Sequence, residues 1–274
     1  IRGHREDPAN HVHEHAWQRF FGGPIGHAVC GTMTSVHGID RRALRAFVAR
    51  QFVPANMVLA ATGGITRERL RRAVQRVFPT DGPAPGRRPR LGSRRRGGLV
   101  RLTRRDLTQA YVVRLIAVPP APRLALALSV AMEIVGADPD ARLFQEVRER
   151  LGLGYDLSTG VDQGPDWAVA VVSASAARDD AGRLCDTIDH TCREAAQGFT
   201  ADELARARKK IRYRFARLAD SRQERAASHA ERALSGLPSL AATARLLAAI
   251  DAREVDEAWR RALAAPTLTT VLTG

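Results

Sequence analysis

Residues 142–155, Arg-Leu-Phe-Gln-Glu-Val-Arg-Glu-Arg-Leu-Gly-Leu-Gly-Tyr, decide how this chain is read. Leu143, Val147 and Leu151 recur at every fourth position with Phe144 beside them, so one helical face is apolar while Glu146, Arg148, Glu149 and Arg150 occupy the rest. Gly152 and Gly154 stop that helix, and the alternation through Tyr155, Leu157 and Thr159 predicts a strand. A helix that ends in a glycine corner and feeds a strand puts Arg148 and Tyr155 on either side of one tight turn. Taken alone, the segment leaves two readings open. Either Arg148 is a solvated helix residue and Tyr155 a half-buried strand residue, or the two act together on a ligand.

Outward from this corner the pattern predicts strands at 99–102 and 109–118, an apolar helix at 122–135, a helix at 140–151 and strands at 154–160 and 167–175. Helices at 179–197, from 200 to about 233, at 240–250 and at 251–263 follow, with a last strand at 268–272. Thr200 and Glu203 have the spacing of a capping box. Strands interleaved with paired helices imply an α+β layer, a sheet covered largely on one side. Upstream, Asp7 and Pro8 open a helix to about Phe21, and Asp40 caps one whose Leu44, Phe47 and Val48 share a face. A short strand, Met57 to Ala61, closes in Thr62-Gly63 and leads to a helix at 66–78.

Residues 39–63, IDRRALRAFVARQFVPANMVLAATG, align without a gap with residues 250–274, IDAREVDEAWRRALAAPTLTTVLTG, at a constant offset of 211 (Ile39 to Ile250). Both run from a capped helix through a proline-containing turn into an apolar strand ending in Thr-Gly, which points to an internal duplication. The second copy starts near Leu99. At the same offset, about a hundred residues of the first copy fall before Ile1. The expected division is 1–80 for the end of the first copy, 81–98 for a basic Pro/Gly/Arg linker, and 99–274 for the second copy.

With 274 residues and 45% hydrophobic content the chain can bury one large core or two smaller ones. No apolar run reaches the roughly 18 residues of a membrane span. The formal charge of +14 raises nucleic-acid binding, but the cations are almost all arginine, with Lys209 and Lys210 the only lysines, and are spread over most helices. The densest group, Arg87, Arg88, Arg90 and Arg94 to Arg96, lies among prolines and glycines and reads as a solvated linker. No nucleic-acid partner is therefore expected. Cys30, Cys185 and Cys192 have neither metal-ligand spacing nor a disulfide framework, Cys192 shares a helical face with Leu184 and Ile188, and a reducing compartment fits. Cytoplasmic is the default location.

Arg148 and Tyr155, in the setting of 142–155, resemble the Arg/Tyr motif in the C-terminal domain of the pitrilysin, insulinase and mitochondrial processing peptidase family of zinc metallopeptidases (inverzincins). Phe20–Gly31, Val53–Gly63 and Gly198–Arg208 resemble further phrases of that family, and only Ala141 departs from the more usual serine or glycine. The resemblance implies an α+β duplicated domain, each copy a mostly antiparallel sheet covered by helices, a metallopeptidase-like (LuxS-like) layering whose first copy is incomplete here. It implies that Arg148 and Tyr155 hydrogen-bond the backbone of an extended peptide or unfolded polypeptide between two domains. It further implies zinc in the complete protein, with the zinc site upstream of Ile1 and none held by this chain, and no catalytic residue within it. Some members of the family carry the pair without a zinc motif and work beside a zinc-bearing subunit, so a homodimer or a catalytic partner subunit is also implied.

His11-Val12-His13-Glu14-His15 fits the family's His-x-x-Glu-His zinc motif literally, two histidines facing one way with a glutamate as general base. Its neighbours, Asp7-Pro8 and Phe20-Phe21-Gly22, match a later helix of the family, and the offset of 211 aligns it with Arg222 to Ala226. The expectation is a polar helix face rather than a metal site.

Overall fold

The computed structural model describes residues 3, 6–78 and 95–274, the side chain of Tyr155 excepted. Most of the expected linker, 81–94, lies outside these residues. In chain order the elements are α1 (Pro8–Phe21), α2 (Met33–His37), α3 (Arg41–Gln51), α4 (Arg67–Val77), β1 (Gly98–Thr103), β2 (Gln109–Val118) and α5 (Pro122–Val135). There follow α6 (Arg142–Phe144), which runs on into a π-helical turn Gln145–Arg150, then β3 (Gly154–Gln163), β4 (Ala168–Ala177), α7 (Ala181–Glu194) and α8 (Ala201–Asp220). α9 (Arg222–Leu234), α10 (Leu240–Ala249), α11 (Ala252–Ala264) and β5 (Thr267–Thr273) complete the chain. The described residues fall into two compact units, one within Ile1–Cys30, Leu91–Ile211 and Leu246–Gly274, the other within Gly31–Arg90 and Arg212–Arg245.

The first unit is built on a five-stranded sheet in the order β1-β5-β2-β4-β3, parallel between β1 and β5 and antiparallel elsewhere. Alternation divides its side chains between two faces. Val113, Leu115, Val169, Val171, Leu268 and Leu272 face α1, which packs Val12, Ala16, Phe20 and Phe21 against them. Trp167 meets Trp17 and Phe21 edge-on, with centroids 5.9 and 5.5 Å away, in the offset geometry that aromatic rings favour. On the opposite face Val112 and Ile116 are buried, where α7 and α11 pack on β2 and α5 packs on β3 and β4. The sequence pattern placed helices largely on one side; α1, read as part of the first copy, covers the other. Arg96 ties the incoming chain to α1 by donating its backbone N–H to Phe20 O at 3.0 Å.

The second unit contains α2, α3, α4 and α9. Asp40 caps α3 by accepting from Ala43 N, Thr66 caps α4, and the Thr62 hydroxyl donates to Arg222 O at 2.6 Å. The long helix expected from 200 to about 233 is two helices. Ser221 interrupts it with extended backbone and restarts it by accepting from Glu224 N, the preference of a serine N-cap winning over propagation. Met57–Ala61, expected as a strand, makes no strand pairing among the described residues.

The units do not follow the division at 81–98 expected from the sequence: each takes segments from both sides of it. At the offset of 211, Ile1–Cys30, taken by the first unit, corresponds to residues 212–241, which lie within the Arg212–Arg245 segment taken by the second. The stretch holding α1 thus lies in the unit with Thr273-Gly274, and the stretch holding α9 in the unit with Thr62-Gly63.

Trp259 of α11 is fully buried and donates its indole N–H to Cys192 O at 3.0 Å, while Cys192 itself is buried. Trp259→Ala leaves a large cavity and orphans that carbonyl, so we expect a loss of about 3–5 kcal/mol in urea unfolding. A loss below about 1 kcal/mol would show that α11 is not integral to the core.

Candidate functional site

The corner between α6 and β3 is held from beneath and from the side. Leu143 and Val147 are fully buried, which fixes the inner face of the helix. The backbone then widens: Leu151 N donates to Glu146 O, five residues back, at 3.1 Å, and Leu153 N donates to Val147 O at 2.8 Å. Such π-turns are rare and concentrate at functional sites, because they shift the side chains that follow out of α-helical register. The 3.6-residue pattern could not reveal this one. Gly152 then turns with φ +61°, a conformation open to glycine and costly for other residues. Gly154 lies so close to the helix that a Cβ there would stand 2.6 Å from Val147 Cγ1, so a larger residue would push helix and strand apart.

Arg148 is exposed, and its guanidinium lies over the Phe144 ring at 5.2 Å from the centroid, a cation–π arrangement that orients it along the helix face. Tyr155 lies at the start of β3, where the register to β4 slips between Gly154 and Leu157, so its backbone occupies a bulge. Bulges re-aim side chains and are common beside binding sites. β3 is also an edge strand of the sheet, so one of its hydrogen-bonding sides has no strand against it among the described residues.

The helix is clamped from outside by Arg142, a residue the sequence placed in the motif without a role. Its guanidinium donates to both carboxylate oxygens of Glu203 at 2.8 Å and to Gly198 O at 3.0 Å, and it lies over the Phe199 ring. Glu203 also accepts from the N–H and hydroxyl of Thr200, completing the predicted capping box. The Arg142 guanidinium, ahead of the opposing cost of burial, pulls the Glu203 carboxyl down to about 2 from its usual 4.5. One bidentate pair therefore joins the turn bearing Arg148 to the start of α8.

A cleft of about 450 Å³ opens between the first turns of α1 and the sheet, lined among others by Asn10, His13, Tyr111, Asp156, Ser158 and Ser175. The Ser175 hydroxyl is buried with no hydrogen-bond partner among the described residues. Burial lowers the pKa of His13, which stacks on Trp17 with ring centroids 5.2 Å apart, and burial raises that of Asp162.

His11 and His15 stand on α1 with ring centroids 4.7 Å apart, beside the buried stripe of Val12, Ala16 and Phe20. Among the described residues no three of His, Cys, Asp and Glu are grouped so as to hold a metal ion. No helix among the described residues is long and apolar enough to cross a membrane.

Because the Glu203 pKa is depressed, the clamp's contribution is fully present above about pH 4.5 and is lost as the pH falls towards 2. We expect Glu203→Gln to cost about 2 kcal/mol at neutral pH, with the gap between wild type and variant closing over that acid window. A gap independent of pH would show that the ion pair is not its origin.

A family profile described as the peptidase M16 inactive domain matches residues 38–211. The chain is 30% identical over 217 residues to an uncharacterized zinc protease of Streptomyces coelicolor, covering 74% of this chain and 46% of that protein. An uncharacterized zinc protease of Mycobacterium tuberculosis is 35% identical over 164 residues, covering 57% of this chain and 37% of its own length. The chain therefore spans less than half the length of either of these relatives. In fold it is similar to a peptidase M16 inactive domain from Pseudomonas fluorescens, with a TM-score of 0.87 at 18% identity, covering 99% of this chain and 66% of that one. It is also similar to a chain of complex III2 from Candida albicans, with a TM-score of 0.85 at 19% identity, covering 99% and 68%. The profile covers more than half of the residues, and the chain belongs to the peptidase M16 family, matching the model of its inactive domain.

Proposed function

We propose that this chain is the substrate-holding part of a zinc metallopeptidase. An extended peptide lies along the outer side of β3, where its backbone pairs with the strand, and Arg148 and Tyr155 hydrogen-bond peptide groups at the end where β3 begins. Backbone pairing at a sheet edge is tolerant of side chains, which suits a protein acting on unfolded segments of varied sequence. The observation that carries this reading is the joining of an edge strand, a bulge and a π-turn at one corner, with Arg148 presented on the exposed side of that turn.

Zinc, when bound in the complete protein, would supply the activated water for hydrolysis; its ligands would lie outside the described residues. What this chain contributes is binding and orientation. Arg148 offers donors to peptide carbonyls, and the Arg142–Glu203 clamp keeps the turn from swinging when a peptide docks.

A second reading is a non-catalytic subunit that works beside a separate zinc-bearing chain, and residues 1–274 fit it equally. Co-purification from the native source with a distinct chain carrying His-x-x-Glu-His would support it, and its absence would leave the first reading.

Arg148→Ala and Tyr155→Phe are each expected to weaken binding of a long unstructured peptide by about 10- to 100-fold, the loss of one or two charge-assisted or phenolic hydrogen bonds, without changing Tm. Unchanged affinity in both variants would make the pair structural. Residues 1–274 by themselves are expected not to cleave peptides. Zinc-dependent cleavage abolished by His11→Ala or His15→Ala would contradict the assignment of α1 as a packing helix.

A further inference from the structure

The sheet face that α1 covers changes character towards the start of β3. Under α1 it is apolar, built from Val113, Leu115, Val169, Val171, Leu268 and Leu272. Beyond them the same alternation brings up hydroxyls. Ser173 pairs with Val113 on one side and with Ser158 on the other, and Ser175 pairs with Tyr111, so Tyr111, Ser158, Ser173 and Ser175 share one patch of that face. All four line the cleft of about 450 Å³ beside the first turns of α1. Serines leave room where valines and leucines would fill it, and each hydroxyl both donates and accepts. Ser175 is 2% exposed, and its hydroxyl has no hydrogen-bond partner among the described residues.

The charges around the cleft select its occupant. Among the described residues no arginine or lysine lines it, in a chain that carries 43 of them against 29 aspartates and glutamates. Asp156, exposed at the rim and next in sequence to Tyr155, has no ion-pair partner among the described residues despite that excess of cations. Burial lowers the pKa of His13, on the helix side of the cleft, so its imidazole is mainly uncharged at neutral pH. One unpaired carboxylate amid hydroxyl acceptors suits a cation with several N–H donors and disfavours an anion.

Reach narrows the choice further. A peptide strand paired to the outer side of β3 lies about 4.8 Å from β3 and about 9.6 Å from β4. A short side chain on that strand stops beside Ser158, whereas a long unbranched one lays its methylenes across the floor and carries a charged head to the serines.

We infer that the cleft is a side-chain subsite for a lysine or arginine of the bound peptide, with Asp156 pairing the cationic head and the hydroxyls of Ser158 and Ser173 accepting from it. The inference rests on the proposed seating of a peptide along β3 and adds which side chain is favoured there.

Matched peptides test it. Two long unstructured peptides are compared, identical except that the arginines of one are glutamines in the other. Residues 1–274 are expected to bind the arginine peptide about tenfold more tightly, against the repulsion expected from a net charge of +14. In Asp156→Asn, which keeps the side chain's size, and in Ser173→Leu, which fills the floor, the ratio of the two affinities is expected to fall to within about twofold. Equal affinity in the wild type, with both peptides weakened by Arg148→Ala, would overturn the subsite and leave the peptide reading standing. Failure of both peptides to bind would overturn the two together. A preference for arginine that survives in both variants would place the recognition elsewhere and overturn the inference.

Discussion

The structure of the first unit depends on one packing contact, the seating of α1 across β2 and β5. Val12, Ala16, Phe20 and Phe21 close a sheet face that would otherwise present Val113, Leu115, Leu268 and Leu272 to water. At roughly 1.5–3 kcal/mol for each large side chain taken out of water, the contact contributes a substantial part of a domain's net stability. It also explains why α1 cannot be a free polar helix despite its four charged or ionisable neighbours at His11, His13, Glu14 and His15. Its apolar stripe is committed to the sheet, and the histidines occupy what is left of the circumference.

The stretch containing α1 belongs to the unit with Thr273-Gly274, and the stretch containing α9 to the unit with Thr62-Gly63. The corner at 142–155 sits in the better-covered half. There the π-turn, Gly152 and Gly154 set the direction of Arg148 and the start of β3, and Arg142–Glu203 holds them to α8.

Much of this was legible in the sequence for definable reasons. α5 reads at its observed limits because Pro122 opens it and Gly136 ends it, and β2, β4 and β5 read well because each is a short, almost wholly buried run of small, apolar and β-branched residues. Arg148 and Tyr155 were singled out through the glycine corner and the family resemblance, while the cation–π contact of Arg148 was not, since Phe144 looked like a core residue. Periodicity counts residues per turn and does not register a π-turn that adds one. The break at Ser221 was overlooked because serine is acceptable in a helix and its capping role shows only when the backbone is seen to leave helical angles. Met57–Ala61 was read as a strand from composition, but pairing needs a neighbour, and composition does not say whether one is present. Ser175 carried no sequence signal at all, its unpartnered hydroxyl being a property of the strand's surroundings.

The central claim is that the outer side of β3 receives peptide backbone at the corner held by Arg148 and Tyr155. The most direct measurement is amide exchange across residues 154–163 with and without a saturating long unstructured peptide. Slowing of the β3 amides that do not pair with β4, by about tenfold or more, is the expected result. No change in β3 with protection appearing elsewhere would contradict the claim and move the binding surface off this edge.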